Sequence, residues 1–276
     1  MSDQRRQRLQ EILRRGGFAS LGELSSRLSV SESTIRRDLE ALETDGSIRR
    51  THGGAFWIGG SDTMAIFRDR RDDHWPAKVA IGQAAAAMVH DHETVLLDGG
   101  STTYEVARAL VSRRLQVVTN SLPVAQVLSS GPQIDLVMIG GLVRGHTAVV
   151  IGPATLSQLQ DIRVTTAFLS IAGAGEDGFY NADMMLVESE RAMMASADRS
   201  IVVADSSKFG RTSLSRICGL CDVDGVVSDT GLSTAWIEAL GDGGVEVVSA
   251  KPTVNLATSP TPIPLSDTAG STSSPH

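Results

Sequence analysis

Cysteine and lysine are both scarce: two cysteines, Cys218 and Cys221, and three lysines occur in 276 residues. Two cysteines cannot build a disulfide framework, and the scarcity fits a reducing compartment. Their CxxC spacing has no second pair or nearby histidine to complete a zinc site, so packing within ICGLCDVDGVV is the expected role, with redox sensing the alternative. His90 and His92 flank Asp91 in a turn without a partner cluster and read as surface residues. No metal and no cofactor is expected. Nor does any run approach the ~18 to 20 consecutive apolar residues of a membrane helix. The start, MSDQRRQRLQ, lacks the apolar stretch of a secretory signal, so a cytoplasmic protein with no membrane partner is expected.

Aromatic residues make up 4% of the chain, but hydrophobic residues reach 41%, ample for a sizeable core. The length exceeds one typical domain, which points to two folded units plus some unstructured sequence. Charge is divided between them. Residues 1–57 hold 10 Arg against 8 Asp or Glu, for +2; the remainder holds 15 basic against 24 acidic residues, for −9. A net −7 therefore hides a mildly basic N-terminal part on an acidic body.

Leu9, Ile12 and Leu13 share one face of a predicted helix from Arg5 to Arg15, which Gly16 and Gly17 end. Ser20 is placed to cap a second helix, LGELSSRL, with Leu21, Leu24 and Leu28 at helical spacing. After a short Ser29–Ser31 connection, Ser31 is the expected N-cap of a third helix. Glu32 suits its positive end, and Ile35, Leu39 and Leu42 form the buried stripe. Ser33, Thr34, Arg36 and Arg37 are left on the exposed first turns. Asp45-Gly46 stops this helix; Ser47–Arg50 and Ala55–Ile58 then read as a hairpin with its tip at Thr51–Gly54.

Two helices joined by a tight turn, the second exposing arginines near its start, is a helix-turn-helix arrangement, and the hairpin makes it a winged one. Arginine suits base reading because its planar fork binds guanine O6 and N7 together or grips a phosphate. An isolated Arg-Arg pair on a helix is more often a solvated face. The combination is far more specific. Residues Val30 to Ala55 follow the pattern V-S-x-x-T-I-R-R-D-L-x-x-L-E-x-x-G-x-I-x-R-x-H-G-G-A and so resemble the DeoR family of bacterial transcriptional regulators. The resemblance implies double-stranded operator DNA as partner and assigns DNA contact to Ser31, Thr34, Arg36, Arg37, Arg49, Arg50 and His52. Asp38 and Glu43 share the pattern but suit orienting arginines or capping helices. Ser33 joins the contact set by its place on the exposed turn.

Residues 58–75 lack a sustained period and read as a linker, in which the family's Phe and Arg correspond to Phe67 and Arg68, with Phe67 turned against the body. From Pro76 onward short apolar runs, at 95–98, 116–120, 134–141, 166–173, 200–205, 224–229 and 245–250, alternate with helical stretches. That is the pattern of an α/β domain with a largely parallel sheet, over 76–250. Residues 251–276, rich in Pro, Ser and Thr, read as a disordered tail.

Ligands of such sheets collect beyond the strands' carboxyl ends. The run Asp98, Gly99, Gly100, Ser101, Thr102, Thr103 could cradle a phosphate on backbone N–H groups at a helix start. It equally suits an ordinary glycine turn with a serine cap. No Gly-Lys-Ser/Thr follows, so nucleotide hydrolysis is not implied. Other strand ends offer Asn120 and Ser121, Gly140 and Gly141 with Arg144, and Asp205, Ser206 and Lys208; Lys78 either joins them or is a solvated helix lysine. The mixture suits a phosphorylated sugar or polyol.

The segments LDGGSTT, VVTNSL, GG-x-x-R and ADSSKFG also resemble the family's C-terminal sensor, so the resemblance spans roughly residues 5 to 250. It implies an α/β sensor similar in fold to ribose-phosphate isomerases and CoA transferases, a metabolite effector that changes DNA affinity, and regulation of carbohydrate metabolism genes, most naturally by repression. One departure stands out. Many members carry Lys before Arg-Ala-Met, where this chain has Glu190-Arg191-Ala192-Met193, so no effector contact can be assigned to that lysine. Homo-oligomers, dimers or tetramers, are expected because one reading head binds too weakly to select a genomic site. The rival reading is a sugar-phosphate isomerase with Asp98, Asp205 or Glu188 as base and Lys208 stabilising an enediolate.

Overall fold

The computed structural model describes residues 2–16, 18–44, 47–51, 53–57, 67, 71, 73–145 and 147–251. The expected helix stop at Asp45-Gly46, His52 on the hairpin tip, Arg68, most of the expected linker and the expected tail beyond Lys251 lie outside the described residues.

Three helices and a small sheet build the N-terminal unit. Helix α1 (Ser2–Gly16) contributes Leu9 and Leu13, both fully buried. Strand β1 (Phe18–Ser20) leads into α2 (Leu21–Leu28), where the Ser20 hydroxyl accepts the Glu23 N–H at 3.2 Å, as its capping role requires. Ser29 closes α2 in the left-handed region, φ 53°, freeing the chain to turn into α3 (Glu32–Thr44). There the Ser31 hydroxyl accepts the Thr34 N–H at 3.4 Å. Ile35, Leu39 and Leu42 meet Leu9, Leu13 and Leu24 in one core. Strands β2 (Ile48–Thr51) and β3 (Gly54–Trp57) form the hairpin, and β1 adds to β3 to give the order β1-β3-β2. Strand β1 has no signature in the residue pattern, since three residues are too few to display a period of two. Gly54 is required at that junction: a Cβ there would lie 2.2 Å from the Ala19 carbonyl oxygen.

The second unit begins at α4 (Trp75–Ala87) and continues through β4 (Thr94–Leu97), α5 (Ser101–Leu110), β5 (Leu115–Thr119), α6 (Leu122–Leu128) and β6 (Ile134–Met138). A hairpin of β7 (Leu142–Arg144) and β8 (Val149–Ile151) follows, then α7 (Pro153–Gln160) and β9 (Val164–Leu169). Strands β10 (Gly173–Gly175) and β11 (Gly178–Asn181), helix α8 (Met184–Ala195), β12 (Ala197–Val203), β13 (Ser215–Cys218), β14 (Gly225–Asp229), α9 (Thr234–Asp242) and β15 (Glu246–Ala250) complete it.

All seven expected apolar runs enter one sheet in the order β15-β14-β12-β9-β4-β5-β6, every pair parallel. Val95 and Leu97 of β4 face one core with Ile81, Val106 and Phe168, while Leu96 faces the other with Val118, Leu169 and Met193. Burial on both faces is why the inner strands appear as nearly unbroken apolar runs, while at the sheet edge Val137 of β6 is exposed. Two runs end three or four residues sooner than expected, at Met138 and Leu169. Their glycine-rich continuations leave the sheet. The β7–β8 hairpin and a small antiparallel sheet of β10, β11 and β13 were not foreseen. Phe67 is buried edge-on against Tyr104 at 5.1 Å, turned against the body as expected, and the Arg71 guanidinium lies 5.8 Å from the same ring. Among the described residues no helix is long and apolar enough to cross a membrane.

Candidate functional site

Two surfaces carry the chemistry. On the N-terminal unit, the start of α3 presents Ser31, Ser33 and Thr34 as a hydroxyl cluster, with Ser31 Oγ 2.9 Å from both Ser33 Oγ and Thr34 Oγ1. Arg36 and Arg37 stand exposed one turn on; the Arg36 guanidinium lies 3.7 Å from Glu32, an exposed pair of little energetic weight. Arg49 is exposed on β2. Arg50 differs. Its backbone N–H and Nε donate to Glu43, and Nη1 donates to Glu40 at 2.8 Å, which ties the hairpin to α3. These bonds hold the Glu43 carboxyl below its ordinary pKa, the Arg50 backbone N–H being the largest cause and its guanidinium the next. Asp38 is 3% exposed and pairs with Arg5 and Arg6 of α1, so it anchors α1 to α3 and leaves Arg36 and Arg37 to solvent.

The second surface is a cavity of about 600 Å³. One wall consists of Gly100, Ser101 and Thr102 after β4, Ser170 to Ala172 after β9, and Ser207 and Lys208 after β12, with Lys78 of α4 beside them. These three strands are neighbours, and the sheet order reverses between β4 and β9. The crevice outside the carboxyl ends at such a reversal is where doubly wound sheets take their ligands. The other wall includes Arg8, Phe18, Glu23 and Arg27 of the N-terminal unit.

Helix α5 opens on Gly100 without a side-chain cap, and Gly100, Ser101 and Thr102 line the cavity, so the positive end of the helix dipole lies at its wall. Such an end accepts an anion readily. The Thr103 hydroxyl does not add to it, because it donates to the Gly100 carbonyl at 3.0 Å and is fully buried. Gly100 is needed for space: a Cβ would lie 2.5 Å from Ser170 Oγ. Lys78 is 3% exposed, not solvated, and its ammonium donates to the Asp73 carbonyl. Burial raises the Asp205 pKa, but Lys208, the Ser207 hydroxyl and Lys78 outweigh it and the net shift is downward. The result is a buried carboxylate beneath two lysines.

Asp98 lies under this floor. The Ser170 N–H and hydroxyl both donate to its Oδ2. Beside it Glu190 is buried, accepts a hydrogen bond from the Asn181 amide, and has its pKa pushed well up, first by burial and then by the Asp98 charge. The departure noted at this position therefore places a carboxyl group, not a cation, in the interior.

Of the expected effector residues, Lys78, Gly100, Ser101, Thr102 and Lys208 line the cavity. The others do not. Asp98 and Asp205 support it from below; Gly99 packs on β8, where a Cβ would meet Val149 Cγ1 at 1.8 Å. Asn120 donates to the Val150 carbonyl, and the Ser121 hydroxyl caps α6 by accepting the Val124 N–H. Gly140 bonds with Thr155 and Gln158, and Gly141 packs against Thr155. Arg144 pairs with Asp183 at 2.6 Å, and Ser206 donates to Asp229. Asn120 and Gly140 follow β5 and β6, on the far side of β4 from the reversal, which is why sequence adjacency to a strand end was not enough. Ser170 was missed because the run was extended to Gly173. Arg211, also on the wall, sits in an irregular loop with no pattern to betray it.

A winged helix-turn-helix joined to a doubly wound domain is the plan of a DNA-binding regulator with a second, larger domain. Residues 5–59 match the family model described as DeoR-like helix-turn-helix domain, and residues 73–230 match the one described as DeoR C terminal sensor domain. The chain belongs to the DeoR family and is a DNA-binding transcriptional regulator. It is 33% identical to the uncharacterized HTH-type transcriptional regulator YulB of Bacillus subtilis, over 89% of this chain and 96% of that protein. It is 31% identical to the glycerol-3-phosphate regulon repressor of Escherichia coli, over 88% and 97%. Among solved structures it is similar to ribose 5-phosphate isomerase A from Methanocaldococcus jannaschii, with a TM-score of 0.35, 18% identity and coverage of 48% of this chain and 53% of that one.

Proposed function

We propose that the chain is a cytoplasmic repressor of carbohydrate metabolism genes, with residues 1–57 reading the operator and residues 76–250 sensing a phosphorylated sugar or polyol. The observation that carries this reading is the cavity at the reversal between β4 and β9. There the uncapped start of α5, with Ser101 and Thr102, converges with Lys78 and Lys208. Phosphate suits the N–H groups and ammonium groups, and neighbouring hydroxyls and carbonyls suit the polyol. Base and phosphate contacts fall to Ser31, Ser33, Thr34, Arg36, Arg37, Arg49, Arg50 and His52. The protein acts as a homo-oligomer, dimer or tetramer, because paired half-sites supply the affinity one head lacks. Effector binding favours the arrangement of heads that fits the operator less well.

The ligand is bound without turnover in this reading. Asp98, the candidate base, is engaged by two donors from Ser170 below the cavity floor, which favours a structural role. The test is operator binding by the full chain across a panel of pentose, hexose and polyol phosphates. A shift in affinity with one of them is the expected result; no response across the panel, with the unphosphorylated compounds equally inert, would overturn the sensing half.

A further inference from the structure

We propose that the DNA-binding unit supplies part of the effector site: Arg8 and Arg27, on the wall opposite Lys78 and Lys208, grip the phosphate of the ligand. The proposal rests on the sensor reading above and deepens it. Guanidinium or ammonium groups occur on both walls of the cavity, Arg8 and Arg27 from α1 and α2, Lys78, Lys208 and Arg211 from the sensor. One of the lining carboxylates, Glu23, meets an arginine from each wall. Glu23 Oε1 lies 2.9 Å from Arg27 Nη2 and 3.8 Å from Arg211 Nη1, so an arginine from each unit shares a single anionic group.

That geometry is what a bridging phosphate monoester needs. A phosphate has more charge and more acceptor oxygens than Glu23, and both arginines can meet it with paired N–H groups while the start of α5 and the two lysines hold it from the sensor side. Glu11 and Asp73 also line the cavity, but the cationic groups outnumber the three carboxylates. The cavity volume, about 600 Å³, lies within the range of small-molecule sites and leaves room for a sugar beside the phosphate. A ligand so held pins α1 and α2 against the sensor, and α3 is fixed to α1 through Asp38 and its arginine partners. Effector and operator then compete for the orientation of one rigid head.

The experiment uses the full chain and the phosphorylated compound that shifts operator affinity in the panel, with inorganic phosphate as a second probe, measured by titration calorimetry. Arg27→Ala is expected to weaken ligand binding at least fivefold and to blunt the ligand's effect on operator affinity, while the unfolding midpoint stays near wild type. Arg27→Lys, which retains a cation, should recover much of the loss. Lys208→Ala separates the two readings. If Lys208→Ala weakens ligand binding and Arg27→Ala and Arg8→Ala do not, the bridging proposal is overturned and the sensor stands. If the wild-type chain binds neither probe, both fall.

Discussion

Asp98, at the end of β4, accepts hydrogen bonds from the Ser170 N–H at 3.1 Å and the Ser170 hydroxyl at 3.0 Å, joining adjacent parallel strands directly beneath the cavity. The strand ends on either side of the sheet reversal are thus pinned by a buried carboxylate. Hydrogen bonds to charged groups contribute roughly 1.5–3 kcal/mol each. Ser170→Ala should lower stability by about 1–2 kcal/mol in urea titration, since one of the two bonds remains. Wild-type stability in that variant would mean the pin has no structural weight.

Arg36 and Arg37 are exposed and make no contact on which the head's core depends. Replacing both with Ala should abolish preference for operator over random DNA, each good bidentate base contact being worth about 1–3 kcal/mol. Thermal unfolding and ligand binding should be unchanged. Retained specificity in fluorescence anisotropy would remove α3 as the reading helix.

Asp38 gives a different signature because it is buried between α1 and α3. Asp38→Ala leaves Arg5 and Arg6 without their carboxylate and should destabilise the head by roughly 2 kcal/mol, discounted from a fully buried pair because both arginines retain solvent access. DNA binding should fall with the fraction of folded head and recover at lower temperature. A loss independent of temperature would indicate direct contact instead.

Glu190 makes stability depend on pH. Its folded pKa is raised by burial and by Asp98, so the native state holds a proton that the unfolded chain releases. The sign follows: its contribution is fully present below the unfolded carboxyl value and is lost as pH rises through the folded one. Glu190→Gln should therefore raise Tm near pH 8, by about 2–4 °C for each kcal/mol gained, and the gain should vanish near pH 4. An equal difference between variant and wild type at both pH values would refute the assignment.

The arrangement of elements could be read from residue pattern wherever packing imposes a period. Ile35, Leu39 and Leu42 announced α3, and seven apolar runs announced seven strands, of which the five inner ones are packed on both faces. Strand order could not be read, because it depends on which runs pair across tens of intervening residues. That order decides the site. Asn120 and Gly140 follow strands as plausibly as Gly100 does, but among the described residues of the large sheet only β4, β9 and β12 end at the cavity. Lys78 illustrates the same gap: on a helix it suggests solvent, and only the docking of α4 buries it.

The two walls of the cavity belong to one chain, with fifteen positions between Trp57 and Asp73 connecting them. Tethering on that scale holds the head near the sensor at an effective concentration on the order of millimolar. Contacts as weak as the 3.8 Å approach of Arg211 to Glu23 would never hold two separate proteins together. Within one chain an interaction of that size is enough to bias the head's position, so a bound ligand need add only a comparable amount to change it.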